Sequence, residues 1–144
     1  MTEEEFEREI DCRFPYADEG HAKDLIDLGL TISTNATFIV LEEICRPPRS
    51  AEVTAPKLQD YASYWRSKIE HPLADPILRC ARSLIKGQKV PTAEALGIMN
   101  AVAEYPDQFG ALNIVYFACE DVDEADRKSD EILDRWQVLR ASPK

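Results

Sequence analysis

Histidine is scarce in this chain of 144 residues: there are two, His21 and His71. Ser-His-Asp or Cys-His catalysis would have to recruit one of them. Neither stands in a recognisable local motif and no Gly-x-Ser-x-Gly occurs, so both read as surface histidines. Long apolar runs are missing too. Ala36–Leu41, among the longest, spans six residues, whereas a membrane-spanning helix needs about 20. The five glycines, Gly20, Gly29, Gly87, Gly97 and Gly110, are scattered and leave no phosphate-cradling loop. The four cysteines have no cysteine neighbour and no Cys-x-x-Cys exists; zinc ligands come as close pairs. The paired Glu-x-x-His motifs of helical di-metal sites are absent as well. No metal and no cofactor is expected.

Positive charge is also in short supply. Seventeen Lys and Arg face 27 Asp and Glu, a net charge of −10. Phosphate backbones repel such a chain, which argues against nucleic acid as a partner, and the apolar runs argue against a membrane. The start, with Glu3, Glu4 and Glu5, is the opposite of a signal peptide's basic opening, so a cytoplasmic location is expected. At 44% apolar and 31% charged residues, the composition is that of a folded chain, and residues 1–144 suit one domain.

What is present is helical periodicity. Eight helices are expected. The first covers Thr2 to Cys12, capped by Thr2 with Glu5 completing a capping box, and is stopped by Pro15. The second covers Glu19 to Leu30 behind Asp18, with Ala22, Leu25, Ile26 and Leu28 as its stripe. The third covers Asn35 to Arg46 behind Ser33 or Thr34. Its Phe38-Ile39-Val40-Leu41 is β-prone, but Glu42 to Cys45 continues the i, i+3, i+4 pattern from Leu41 and no partner strand is evident. Pro47-Pro48-Arg49-Ser50 ends it in the longest loop. The fourth covers Pro56 to Glu70, with Tyr61, Ala62, Trp65 and Ile69 inward. The fifth opens with Asp75 as cap and Pro76 at the first helical position, presents Ile77, Leu78, Ala81, Leu84 and Ile85, and ends at Gly87. The sixth covers Thr92 to Tyr105. The seventh, Gln108 to Cys119, is apolar almost all round and should be central. The eighth, Val122 to Arg140, starts from the capping pair Asp121 and Glu124, with Ile132, Leu133, Trp136 and Leu139 inward.

Cys12, Cys45, Cys80 and Cys119 recur every 33, 35 and 39 residues, each late in or inside an apolar helix, followed by a short break and another helix. Self-similarity at this period is the mark of stacked helical hairpins; the alternative is four unrelated buried thiols. The stretches Ala22–Arg46, Pro76–Tyr105 and Phe109–Trp136 each read as two packed helices, and together they resemble HEAT-like α-helical repeats. That resemblance implies a protein-binding surface and no catalysis. The expected fold is therefore all-α, seven to eight helices in antiparallel hairpins, as a short HEAT-like solenoid or an irregular helical bundle.

Charge supplies the candidate site. Residues 1–30 carry ten acids and three bases, residues 56–90 three acids and seven bases, and residues 120–144 eight acids and five bases. Two acidic ends flank a basic middle. The acids Glu3, Glu4, Glu7 and Asp11 on the first helix, and Asp123, Glu124, Asp126 and Asp130 on the last, would meet a basic protein. The most concrete form of this reading is an acidic bacterial immunity-type protein that masks a basic toxin domain. The alternative is an adaptor or assembly factor that holds an acidic partner on the middle helices, through Tyr64, Arg79, Arg82, Lys86 and Lys89, the four cations following one helical face. A third reading is an enzyme with an unrecognised carboxylate site. The run Glu120 to Asp126 lacks the glycine and late glutamate of a calcium loop and reads as a capped helix start.

Overall fold

The stretch that most resembles a strand, Phe38 to Leu41, is helical. A computed structural model of the chain describes the backbone of residues 1–13, 19–45 and 55–141, and side chains over 1–10, 22–45 and 58–141. Within these residues eight helices form: α1 Glu3–Arg13, α2 Glu19–Ile32, α3 Thr34–Cys45, α4 Ala55–Lys68, α5 Ala74–Ile85, α6 Thr92–Ala103, α7 Phe109–Ala118 and α8 Val122–Ala141. The only β pairing among the described residues is one isolated parallel bridge, Val90 with Cys119. The expected Pro15 stop, the Asp18 cap, the Pro47–Ser50 loop and the side chains of Asp11, Cys12 and His21 lie outside the described residues.

Local chemistry explains most helix ends. The Thr2 hydroxyl oxygen accepts the N–H of Glu5 at 3.1 Å, and Asp121 Oδ1 accepts the N–H of Glu124 at 3.2 Å, the caps that the sequence predicts. Ser33 Oγ accepts the N–H of Ala36 and donates to Glu3 Oε1 at 2.6 Å. One hydroxyl thus caps α3 and ties α1 to it. α5 departs from expectation. Leu73, not Asp75, is its N-cap, and no side chain caps it. Asp75 lies one residue inside, in the first turn, where Arg66 takes its carboxylate at 2.7 Å; Pro76 is tolerated there because first-turn N–H groups have no intrahelical partner. At the other end Gly87, at φ 71°, closes α5. Its N–H bonds Leu84 O, and that of Gln88 bonds Ser83 O at 2.8 Å, the paired closure that a left-handed glycine permits.

Two helices form the centre. Every residue of α3 from Asn35 to Cys45 is buried, and α2, α7, α4, α1 and α5 all pack on it. The most extensive interface is between α3 and α7, helices four apart in the chain. A stack of hairpins joins each unit to its neighbours; here the later helices fold back onto an early one, and the arrangement is that of a bundle. α7 is central as expected, although Tyr116 and Phe117 are only half-buried and Asn113 is exposed. α8, 20 residues long, packs on α6 and α7 and buries Ala125, Ile132 and Trp136. Leu133 and Leu139 are 38% and 50% exposed, where the periodicity places them inward.

The two tryptophans fasten the outer helices. Trp65 of α4 is fully buried and donates its indole N–H to Thr37 O of α3 at 2.9 Å. Trp136 of α8 is equally buried and donates to Ala103 O, at the end of α6, at 3.0 Å. Such amphipathic anchors combine a large apolar area with one satisfied donor.

His71, between α4 and α5, is not the free surface histidine that the sequence suggests. Its ring meets Tyr105 at 4.8 Å and Phe38 at 5.8 Å, both edge-on, and its Nδ1 accepts the N–H of Leu73 at 3.1 Å. Burial holds its pKa below the ordinary 6.5. The unfolded chain therefore binds the proton more readily than the folded one. The stability contributed by neutral His71 is complete above pH 6.5 and is lost as pH falls through the lower folded value. Melting temperature should drop as pH is lowered below 6.5, and His71→Asn, whose side-chain oxygen can accept the same N–H, should flatten the first part of that decline.

The α3–α7 crossing makes a sharper forecast. A Cβ on Gly110 would lie 2.6 Å from Ile39 N and 2.7 Å from Phe38 C, whereas one on Gly97 would meet nothing within 4 Å. Gly110→Ala should lose about 1–3 kcal/mol or more, because backbone rather than a flexible side chain has to yield. Gly97→Ala, at an exposed position inside α6, should gain about 0.5–1 kcal/mol. Urea unfolding of both variants reads the contrast.

Candidate functional site

α5 turns its apolar side, Ile77, Leu78, Ala81, Leu84 and Ile85, to the core and leaves Arg79 and Arg82 outside. Lys86 follows as the C-cap residue. With Asp75, Leu78, Ser83 and Gln88 these cations line an open groove of about 380 Å³. Two of its charges are already neutralised. Asp75 is held by Arg66, which keeps its carboxyl below the usual carboxylate range through hydrogen bond and charge together. Arg79 gives Nε to Glu94 Oε2 of α6 at 3.0 Å and a second nitrogen to the buried Ser83 hydroxyl. Arg82 and Lys86 make no ion pair among the described residues.

The other two residues of the basic candidate group lie elsewhere. Lys89 leaves the face because Gly87 redirects the chain. Its ammonium donates to Phe117 O at 2.7 Å, placing a cation at the C-terminal end of α7, where the helix dipole favours it. The same loop pairs with the α7–α8 junction through Val90 N–H to Ala118 O and Glu120 N–H to Val90 O. Tyr64 is a staple: its hydroxyl donates to the Asp27 carboxylate of α2 at 2.9 Å. The Lys68 and Lys23 ammonium groups stand 5.2 and 5.3 Å from its ring centre. Partial burial, then the Asp27 hydrogen bond, push its phenol pKa up.

The acidic candidates fall into two groups. α1 packs on α3 and α2, α8 on α6 and α7, so Glu3, Glu4 and Glu7 share no packing partner with Asp123, Glu124, Asp126 and Asp130. Glu3 is occupied by Ser33; Glu4 and Glu7 are exposed. On α8 the exposed Asp123, Asp126 and Asp130 follow i, i+3 and i+7, and Asp134, which the sequence reading passed over, continues the stripe at i+11. A plain count of four from Asp130 would have found it. Glu124 stands beside this stripe, paired with Arg127 at 3.1 Å. Asp126 accepts the Tyr116 hydroxyl at 2.5 Å, and that bond, more than burial, raises the Tyr116 pKa.

Among the described residues no three His, Cys, Asp or Glu side chains converge as metal ligands, and no helix is long and apolar enough to cross a membrane. Glu42 and Glu43 are both buried at the end of α3.

Cys45, Cys80 and Cys119 are free thiols inside the core. Burial pushes the Cys80 thiol up to about 12, and the thiolate is the reactive form. In mildly alkaline buffer iodoacetamide should leave these three unmodified in the folded protein and label them in urea, as read by peptide mass mapping. Fast native labelling of Cys80 would show that its helix opens. Compared with known protein families, with curated proteins and with solved structures, the chain matches none.

Proposed function

We propose that the chain is a non-enzymatic protein-binding domain that holds an acidic partner in the groove along α5. One observation carries this reading: in a chain of net charge −10, Arg82 and Lys86 line a concave surface and make no ion pair among the described residues. A cation left uncompensated among so many acids draws an acidic segment, and such complementarity sets partner choice and association rate more than affinity. The amide of Gln88 adds a contact that a diffuse charge patch lacks.

A second reading is favoured by the aspartate stripe of α8. It offers a straight acidic edge to a basic protein, and its concrete form is an immunity-type inhibitor of a basic toxin domain. Because α1 packs on other helices than α8 does, this reading relies on α8 alone.

Retention of proteins from a native lysate, at low salt and after a high-salt wash, separates the two. The first reading expects an acidic protein that leaves at high salt and is lost with Arg82→Glu/Lys86→Glu. The second expects a basic protein that is lost with Asp123→Lys/Asp130→Lys and kept by the groove variant. Retention that neither variant alters would remove both surfaces from consideration.

A further inference from the structure

We propose that the acidic segment received by the α5 groove is the α8 stripe of a second copy of this chain, so that the protein self-associates through complementary helices. This rests on the reading of the groove as a docking surface. The first argument is spacing. Arg79, Arg82 and Lys86 follow i, i+3 and i+7, and so do Asp123, Asp126 and Asp130. Both sets therefore rise about 10.5 Å along their helices, with the middle charge at about 4.5 Å. Two helices laid side by side in parallel bring Arg82 and Lys86, the two cations of this set not held by Glu94, opposite Asp126 and Asp130, and Asp134 extends the acidic row beyond Lys86.

The second argument is which charges are already used. Every cation described on α8 has a carboxylate within its own chain: Arg127 pairs with Glu124, Lys128 with Glu131, Arg135 with Glu104 and Arg140 with Asp107. Asp123, Asp130 and Asp134 have no such pair among the described residues, and Asp126 has only a tyrosine hydroxyl. On α5 the pattern is inverted: Asp75 is taken by Arg66, while Arg82 and Lys86 remain. Each helix keeps its minority sign occupied and presents the other.

The third argument is that one chain cannot satisfy itself. α5 packs on α7, α4, α3 and α6, and α8 packs on α6 and α7; the two helices pack on shared neighbours rather than on each other. Pairing of the stripes is therefore intermolecular. The overall −10 charge opposes association at long range, but screening over about 8 Å at physiological salt confines that repulsion, while the facing pairs act at contact. The complex should be weak and dependent on ionic strength.

Sedimentation equilibrium of the full chain tests this at low ionic strength and at about 1 M salt, where screening acts over about 3 Å. The expected result is a dimer or larger species at low ionic strength and a monomer at high salt. Arg82→Glu/Lys86→Glu and Asp126→Lys/Asp130→Lys should each weaken association about tenfold or more, and mixing the two variants should restore a complex, since the unchanged stripe of the first meets the unchanged groove of the second. All four positions are on the surface, and circular dichroism confirms that each variant is folded. A monomeric wild type at low ionic strength, or association that both variants leave unchanged, overturns the proposal. A monomeric wild type whose groove still retains an acidic protein from the lysate overturns self-pairing alone and leaves the groove reading standing.

Discussion

The bundle depends on how closely α7 crosses α3. Gly110, one residue into α7, sits so near Phe38 and Ile39 that a methyl group would collide with their backbone. At the same point Asn35 Oδ1 accepts the N–H of Gly110 at 3.1 Å, satisfying one of the orphan donors at the start of α7. The amide is buried, so losing this acceptor leaves an unmatched donor in an apolar environment. Close backbone approach and the side-chain cap fix both the separation and the angle of the two central helices. α2, α4 and α1 dress one of them, α6 and α8 the other, and α5 touches both.

Helix number and most caps were legible because they are local: a hydroxyl or carboxylate before an apolar stripe, a glycine after it. The β-prone core of α3 was correctly read as helix because a strand there would have had no partner. The cap of α5 lies two residues before the expected Asp75, at Leu73. Asp-Pro looks like a capping pair, and only the fold brings Arg66 close enough to claim the carboxylate. His71 gave no sign of its aromatic surroundings, since Phe38 and Tyr105 come from distant parts of the chain. The crossing of Asn35 and Gly110 was beyond any reading of periodicity, which orders residues within a helix and says nothing about which helix lies opposite. For the site, the α5 and α8 stripes were visible as spacing. What could not be seen was that Lys89 turns away at Gly87, that Tyr64 is committed to Asp27, and that the two acidic ends belong to different faces.

The distribution of ion pairs is more telling than the net charge. Exposed pairs such as Arg140 with Asp107 contribute little to stability, about 0–1 kcal/mol each, yet they decide which charges remain for other molecules. Arg140 also lies 5.6 Å from the ring centre of Phe109, and its partner Asp107 holds a left-handed backbone, φ 69°, at the tight turn into α7. Arg135 and Arg140 of α8 thus serve the α6–α7 corner, while Arg127 and Lys128 pair along α8 itself.

The crossing of α3 and α7 also shapes how the chain reaches its fold. Asn35 and Gly110 are 75 positions apart, and closing a loop of that length costs entropy before any contact repays it. During synthesis α3, buried along nearly its whole length in the finished protein, leaves the ribosome well before the helix that covers it. For that interval its Phe38, Val40, Leu41 and Ile44 lack their largest partner, the kind of transient apolar exposure that chaperones recognise. The last third of the chain therefore acts as the closing signal, committing the first third to its place only when α7 arrives.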